Sequence, residues 1–236
     1  MHARSRILLK LSGQVFLDKK TGCIDGSLAS SIVDQIKTLS TEHQFGIVVG
    51  GGNLFRGNQQ GKILRLTPWS AHTSGMLATL INGVILRDMM HRAGIPTTLV
   101  SAVYCPEVAE PISQQTIDNR LRNGDCILFA GGTGNPFFTT DTNAVLRAVE
   151  IGAGQLWKCT SIDGVYDDDP VKNPTAKKLQ KVSFQQALDM KLAIMDATAF
   201  TLANEHGLLI RIINVFEENA LKRASQEAQF GSVIQR

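Results

Sequence analysis

The sequence predicts an α/β fold: a mainly parallel β-sheet with helices on both faces. Short apolar runs alternate along the chain with longer stretches whose apolar residues recur every three or four positions. Glycines cluster where the apolar runs end, as strand-to-helix turns require. A length of 236 residues suits one sizeable α/β core. No internal repeat, low-complexity tract or interdomain linker interrupts it, so residues 1–236 read as a single domain.

The first strand falls at residues 7–11 (ILLKL), and a helical pattern follows over 27–42, with Ser27 suited to cap it. A second strand, 45–49, runs into Gly50-Gly51-Gly52. The helix over 71–93 carries the clearest periodicity, with Leu77, Leu80, Ile81, Val84, Ile85 and Met89 on one face, and Gly94-Ile95-Pro96 ends it. Then come a strand at 98–102, a helix at 114–123, a strand at 126–130 and a helix at 141–151 that Asp141 is placed to cap. A strand at 155–158 precedes an irregular stretch, 163–178, rich in Asp, Asn and Pro, which reads as a functional excursion. Helices at 183–190 and 197–206 and a strand at 209–213 complete the pattern. Right-handed crossovers then align the strand-to-helix loops along the carboxyl edge of the sheet, where ligands bind in open α/β sheets.

Composition narrows the function classes. The formal net charge of +3 comes without a long basic run, and Lys177, Lys178 and Lys181 read as a solvated face, which argues against a nucleic-acid partner. Cys23, Cys105, Cys126 and Cys159 are widely spaced, with no C-x-x-C, which argues against a metal centre or a disulfide framework. Cys126 and Cys159 lie in apolar runs and read as buried thiols. The N-terminal apolar run is broken by Lys10 and lacks a small-residue cleavage site, and no run reaches the ~18 residues of a membrane span. The expectation is a soluble, cytoplasmic protein without a membrane partner.

The strand ends carry the chemistry. After the first come Lys10, Leu11, Ser12 and Gly13; after the second, Gly50 to Gly57 with Arg56 among them. After the fourth comes Gly132-Thr133-Gly134-Asn135-Pro136-Phe137-Phe138-Thr139-Thr140-Asp141; after the fifth, Thr160 and then Tyr166 and Asp169. Several glycine turns on one edge, with Lys10 and Arg56 beside them, favour polyphosphate. The P-loop is absent, because Gly61-Lys62 is followed by Ile63, and no G-x-G-x-x-G occurs. The H-R-D and D-F-G signatures of protein kinases are missing too.

The segments ILLKLSG (7–13), GGGNLFRG (50–57), GMLAT (75–79), GTGNPFFTTD (132–141), DGVY with DP (163–170) and MDATAFTLA (195–203) carry a resemblance spanning nearly the whole chain. In order and wording they resemble the bacterial UMP kinases of the amino acid kinase fold family. The resemblance implies a three-layer αβα sandwich around a mainly parallel sheet of about eight strands, and a homohexamer. It implies reversible transfer of a phosphoryl group from ATP to UMP in pyrimidine nucleotide synthesis, with Mg²⁺ arriving on ATP and keeping most of its waters. Lys10 suits the transferring phosphoryl and Arg56 a bidentate grip between the substrates. On the same resemblance, Lys10, Leu11, Ser12, Gly13, Gly52, Arg56, Thr160, Tyr166 and Asp169 hold ATP, and Gly51 and Thr133 to Thr140 hold UMP. Phe137 and Phe138 are then expected to wall off the pyrimidine and pack against the core, with Thr139 and Thr140 offering free N–H groups to a phosphate.

Several points keep two readings. Asp141 and Asp196 orient Lys10 by charge pairing, or they are a helix cap and a first-turn acid. Tyr166 meets the adenine, or fills core. Where the family carries a ribose-binding Asp, three residues before the glycine of GMLAT, this chain has His72, which either substitutes or is an ordinary helix-start residue. The family's GTP activation site corresponds to 17–25, which matches only loosely, and the resemblance also implies UTP as a feedback inhibitor. The missing Asp leaves an alternative: a catalytically weak or inactive relative that binds nucleotide or oxyanion.

Overall fold

A run such as Ile7-Leu8-Leu9 is apolar on both faces, which suits a strand covered on both sides. In the computed structural model, which describes residues 4–17, 25–57, 59–190, 192 and 194–236, it lies in β1 (Ser5–Leu11), the central strand of a nine-stranded sheet. The other strands are β2 (His43–Val49), β3 (Thr97–Ser101), β4 (Glu110–Pro111), β5 (Cys126–Ala130), β6 (Gln155–Thr160), β7 (Val165–Tyr166), β8 (Lys178–Leu179), β9 (Lys181–Ser183), β10 (Leu209–Asn214) and β11 (Ser232–Gln235). The sheet runs β4-β3-β5-β2-β1-β6-β10-β11-β9, and β7 and β8 form a separate two-stranded ribbon. Only the β10–β11 pair of the large sheet is antiparallel.

The helices are α1 (Ser27–Leu39), α2 (Gln60–Ile63), α3 (Pro68–Arg92), α4 (Gln114–Arg122), α5 (Thr140–Glu150), α6 (Phe184–Asp189), α7 (Ala197–Glu205) and α8 (Ala220–Gln226). Two separate cores show how they divide. On one face Ile7, Leu9, Leu11, Ile47 and Leu128 pack with residues of α1, α3 and α8. On the other, Leu8, Val48, Ile127, Phe129 and Leu156 pack with residues of α4, α5, α6 and α7. The alternation along β1 is the period of two that a strand imposes, and it turns Lys10 to the α5 side at the strand's carboxyl end. This is the expected layering, with nine strands in place of about eight.

The expected elements fall within a few residues of their places. β4, β9 and β11 were not anticipated: at two to four residues they are too short to show a period. The stretch 163–178 holds the β7–β8 ribbon. Two expected caps are corrected. Gly26 occupies the N-cap of α1, where the Asp25 carboxylate accepts from the N–H and hydroxyl of Ser27. Thr139, not Asp141, caps α5: in extended backbone its Oγ accepts from the N–H groups of Asp141 and Thr142. Cys126 and Cys159 are buried, and loss of hydration pushes the Cys159 thiol up to about 12. Cys23 and most of 17–25 lie outside the described residues. Among the described residues, no helix is long and apolar enough to cross a membrane.

Candidate active site

Two cavities open at the carboxyl ends of β1, β2, β5 and β6. The turn after β2 runs directly under α3. A Cβ on Gly51 would lie 2.7 Å from Ala78 Cβ and 2.8 Å from the Thr79 nitrogen, so only glycine permits this approach. Asn82, fully buried in α3, fixes the turn from above. Its Nδ2 donates to the Gly50 carbonyl at 2.7 Å and to Asn53 Oδ1 at 2.7 Å, while its Oδ1 accepts from Asn53 Nδ2. The sequence signal for Asn82 is a lone amide inside the apolar face of the longest helix.

Three charges meet at the ends of β1 and β6. Asp141, in the first turn of α5, lies between two ammonium groups: Lys10 Nζ is 3.1 Å from Oδ1, and Lys158 Nζ is 2.7 Å from Oδ2. Lys158 also donates to the Ile194 carbonyl. Burial pushes the Asp141 carboxyl up, but the attraction of Lys10 and Lys158 outweighs it and holds the group below its ordinary value. Burial lowers Lys158, helped by repulsion from Lys10 and opposed by Asp141. Lys158 was missed in the sequence. Its only signal is a lysine between the buried Trp157 and Cys159 in a strand, and nothing in the sequence says what that lysine meets.

The smaller cavity, about 400 Å³, is lined by Lys10, Ser12, Arg56, Lys158 and Thr160, with Val215 and Phe216 as its apolar wall. The larger, about 740 Å³, is lined by Gly51, Gly52, Arg56, His72, Thr133, Asn135, Phe138, Thr139 and Thr140 among others. Arg56 lines both cavities. Its Nε donates to the Gly52 carbonyl at 2.7 Å, which sets the direction of the guanidinium.

The segment after β5 wraps the larger cavity. Gly131, Gly132 and Gly134 have φ of +75°, +59° and +80°. At Gly131 a Cβ would also meet the Val103 nitrogen at 2.7 Å. Gly131→Ala is therefore expected to destabilise the protein by about 2–3 kcal/mol and to weaken acceptor binding, read by chemical denaturation and by the acceptor KM. Arg147, nearly fully buried, braces the segment. It donates to Asn143 Oδ1 at 3.1 Å, to both Glu150 oxygens at 2.7 Å and to the Gly132 carbonyl at 3.4 Å. Asp196 caps α7 and accepts from the hydroxyls of Thr139 and Thr142. Burial raises its pKa, but these bonds and the Ala199 N–H win and lower it. It thus anchors the start of α5, whereas Asp141 pairs with Lys10.

The structure gathers Lys10, Ser12, Arg56 and Thr160 at the smaller cavity, and Gly51, His72, Thr133, Asn135, Phe138, Thr139 and Thr140 at the larger. Gly52 lies on the larger cavity, not the smaller. Leu11 contributes no side chain, being buried in the core, and its carbonyl accepts from Gly50 N–H. Gly13 is buried against Asn53 and Gly50. Tyr166 and Asp169 are not brought to the smaller cavity: the Tyr166 hydroxyl donates to Asp163 at 2.8 Å, and Asp169 pairs with Lys172. Gly134, Pro136 and Phe137 turn the chain without lining the larger cavity. The expectation that both phenylalanines pack against the core is corrected, because Phe137 is 66% and Phe138 49% exposed. The glycine turns direct them outward: Phe138 edges the larger cavity and Phe137, at φ +73°, packs on His72 with ring centres 5.1 Å apart.

A layered parallel sheet with two adjoining cationic cavities at its carboxyl edge fits the class of small-molecule phosphotransferases. Within it the chain belongs to the Amino acid kinase family, whose sequence model matches residues 5–214. It is 41% identical to a uridylate kinase of Legionella pneumophila (strain Paris) over 232 residues, 97% of this chain and 93% of that protein. It is 41% identical to one of Pseudoalteromonas atlantica over 234 residues, 99% and 94% of the two chains. Among solved structures it is similar to UMP kinase from Ureaplasma parvum, with a TM-score of 0.94, 30% identity and coverage of 99% and 100%. UMP kinase from Bacillus anthracis gives 0.93, 28%, and 98% and 96%.

Proposed function

We propose that this protein catalyses reversible phosphoryl transfer from ATP to UMP, giving ADP and UDP. The observation that carries the reading is Arg56, which stands in the wall of both cavities. A guanidinium there grips oxygens of donor and acceptor together, so the smaller cavity takes the phosphates of ATP and the larger takes UMP. The near-full-length likeness to uridylate kinases supplies the acceptor's identity.

Phosphoryl transfer needs alignment and positive charge more than covalent help. Lys10 and Lys158 supply that charge, and Asp141 holds both ammoniums at one place. The first turn of α5, with Thr139 and Thr140 on the cavity, presents a helix N-terminus to the acceptor phosphate. Among the described residues, no three His, Cys, Asp or Glu side chains converge to hold a metal ion. The lysines and hydroxyls of the smaller cavity complement phosphate oxygens, so Mg²⁺ fits as an ion carried by ATP, where it neutralises phosphate charge.

The remaining parts of the reading are a single amino acid kinase domain over 1–236, a cytoplasmic place in pyrimidine nucleotide synthesis, a homohexamer, and GTP activation with UTP inhibition. Assembly draws support from Trp69, Leu77 and Ile81, which leave an apolar face of α3 in water. Binding without turnover is disfavoured by the near-full-length likeness to uridylate kinases. The test is ADP release with ATP-Mg²⁺ against UMP, CMP and glutamate. UMP is expected to turn over at roughly 1–10³ s⁻¹ and glutamate not at all. No turnover with UMP would overturn the proposal.

A further inference from the structure

We infer that Asn143 is a specificity-determining residue of the acceptor cavity, whose carboxamide Nδ2 donates to an oxygen of the bound nucleotide. This rests on the proposed placement of UMP in the larger cavity.

Asn143 lies in the first half of α5. Asparagine is a poor helix former, and its amide is costly to bury without partners. Yet Asn143 is only 1% exposed and joins the wall of the larger cavity. The direction of its amide is fixed. Arg147, one turn further along α5, places Nε 3.1 Å from Asn143 Oδ1. A guanidinium can only donate, so the amide oxygen faces it and the NH₂ group faces away. Arg147 is itself held. It donates to both Glu150 oxygens at 2.7 Å and to the Gly132 carbonyl at 3.4 Å. Glu150 balances its charge, so the guanidinium orients Asn143 and does not draw anions.

Among the described residues, no protein group accepts from Asn143 Nδ2. A ligand that displaces solvent there has to accept from Nδ2 or leave a buried donor unpaired. Such a group discriminates strongly between ligands that offer an acceptor and ligands that do not. A uridine nucleotide offers base carbonyl and phosphate oxygens. Cytosine replaces one of those carbonyls with an amino donor.

Asn143→Asp keeps the shape and the bond from Arg147 but turns the free group from donor to acceptor. The KM for UMP is expected to rise at least about fivefold, the worth of one lost hydrogen bond. The KM for ATP and the urea midpoint are expected to stay at wild-type values, because Asn143 lines only the larger of the two cavities and Arg147 keeps its partner. CMP, run beside UMP as substrate or competitor, identifies the oxygen. If CMP is spared or improved, Nδ2 meets the base carbonyl that cytosine lacks; if CMP is weakened too, it meets an oxygen that the two nucleotides share. Asn143→Ala, which lacks the donor, is expected to show the UMP loss without any gain for CMP, so either folded variant decides. A smaller rise in the KM for UMP in a folded variant would overturn the inference. Failure of the wild type to use UMP would instead overturn the proposed function.

Discussion

Lys10→Met is expected to lower kcat by roughly 10²–10³-fold, about 3–4 kcal/mol of transition-state stabilisation, in a protein that still folds. The ammonium is at the carboxyl end of the central strand, paired with Asp141 at 3.1 Å and facing the smaller cavity. Its removal takes positive charge from the place where the phosphoryl group passes. The fold survives because Asp141 keeps Lys158 at 2.7 Å, so no buried carboxylate is left unpaired. Loss of the Lys10 charge also relieves its repulsion of Lys158. Steady-state kinetics and circular dichroism on one preparation check both halves. Wild-type kcat in the folded variant would remove Lys10 from the mechanism.

Asp141→Asn should cost stability as well as rate, by about 3 kcal/mol at neutral pH, because it leaves two neighbouring, mostly buried ammoniums without their counter-charge. The pH dependence has a definite sign. The Asp141 carboxyl is held below its ordinary value in the folded protein, and its value when unfolded is about 3.9. Its contribution is therefore fully present above the unfolded value and is lost as pH falls through the folded one. The gap in unfolding free energy between wild type and Asp141→Asn should be constant from about pH 5 to 7 and close below about pH 4. Urea unfolding of both proteins at several pH values measures it. A gap that persists unchanged into acid would mean that the carboxylate is not what the lysines require.

Much of this site was legible because backbone demands leave marks in sequence. The glycines after β2 and β5, with Lys10 and Arg56 beside them, are forced by close approach and left-handed turns. The long α3 and the strand β5 followed from periodicity and unbroken apolarity, β5 with the expected bounds. What was illegible depends on partners distant in the chain. Lys158 gains its role from Asp141, 17 residues away, and from Lys10 on the neighbouring strand. Asp141 reads as a cap in the sequence, but Thr139, two residues earlier, caps α5 by accepting from the N–H groups of Asp141 and Thr142. Tyr166 matched a motif, yet its hydroxyl is taken by Asp163. Phe137 and Phe138 were expected inside on the ground that aromatics avoid water; the glycine turns before them point the chain outward.

The central claim is that the two cavities joined at Arg56 bring a donor and an acceptor phosphate together. The most direct measurement is ³¹P NMR of equimolar ATP-Mg²⁺ and UMP with the protein, followed in both directions. The account predicts that UDP and ADP resonances grow as those of ATP and UMP fall, that the same mixture forms from UDP and ADP, and that inorganic phosphate does not accumulate. Release of inorganic phosphate without UDP, or an unchanged spectrum, would contradict it.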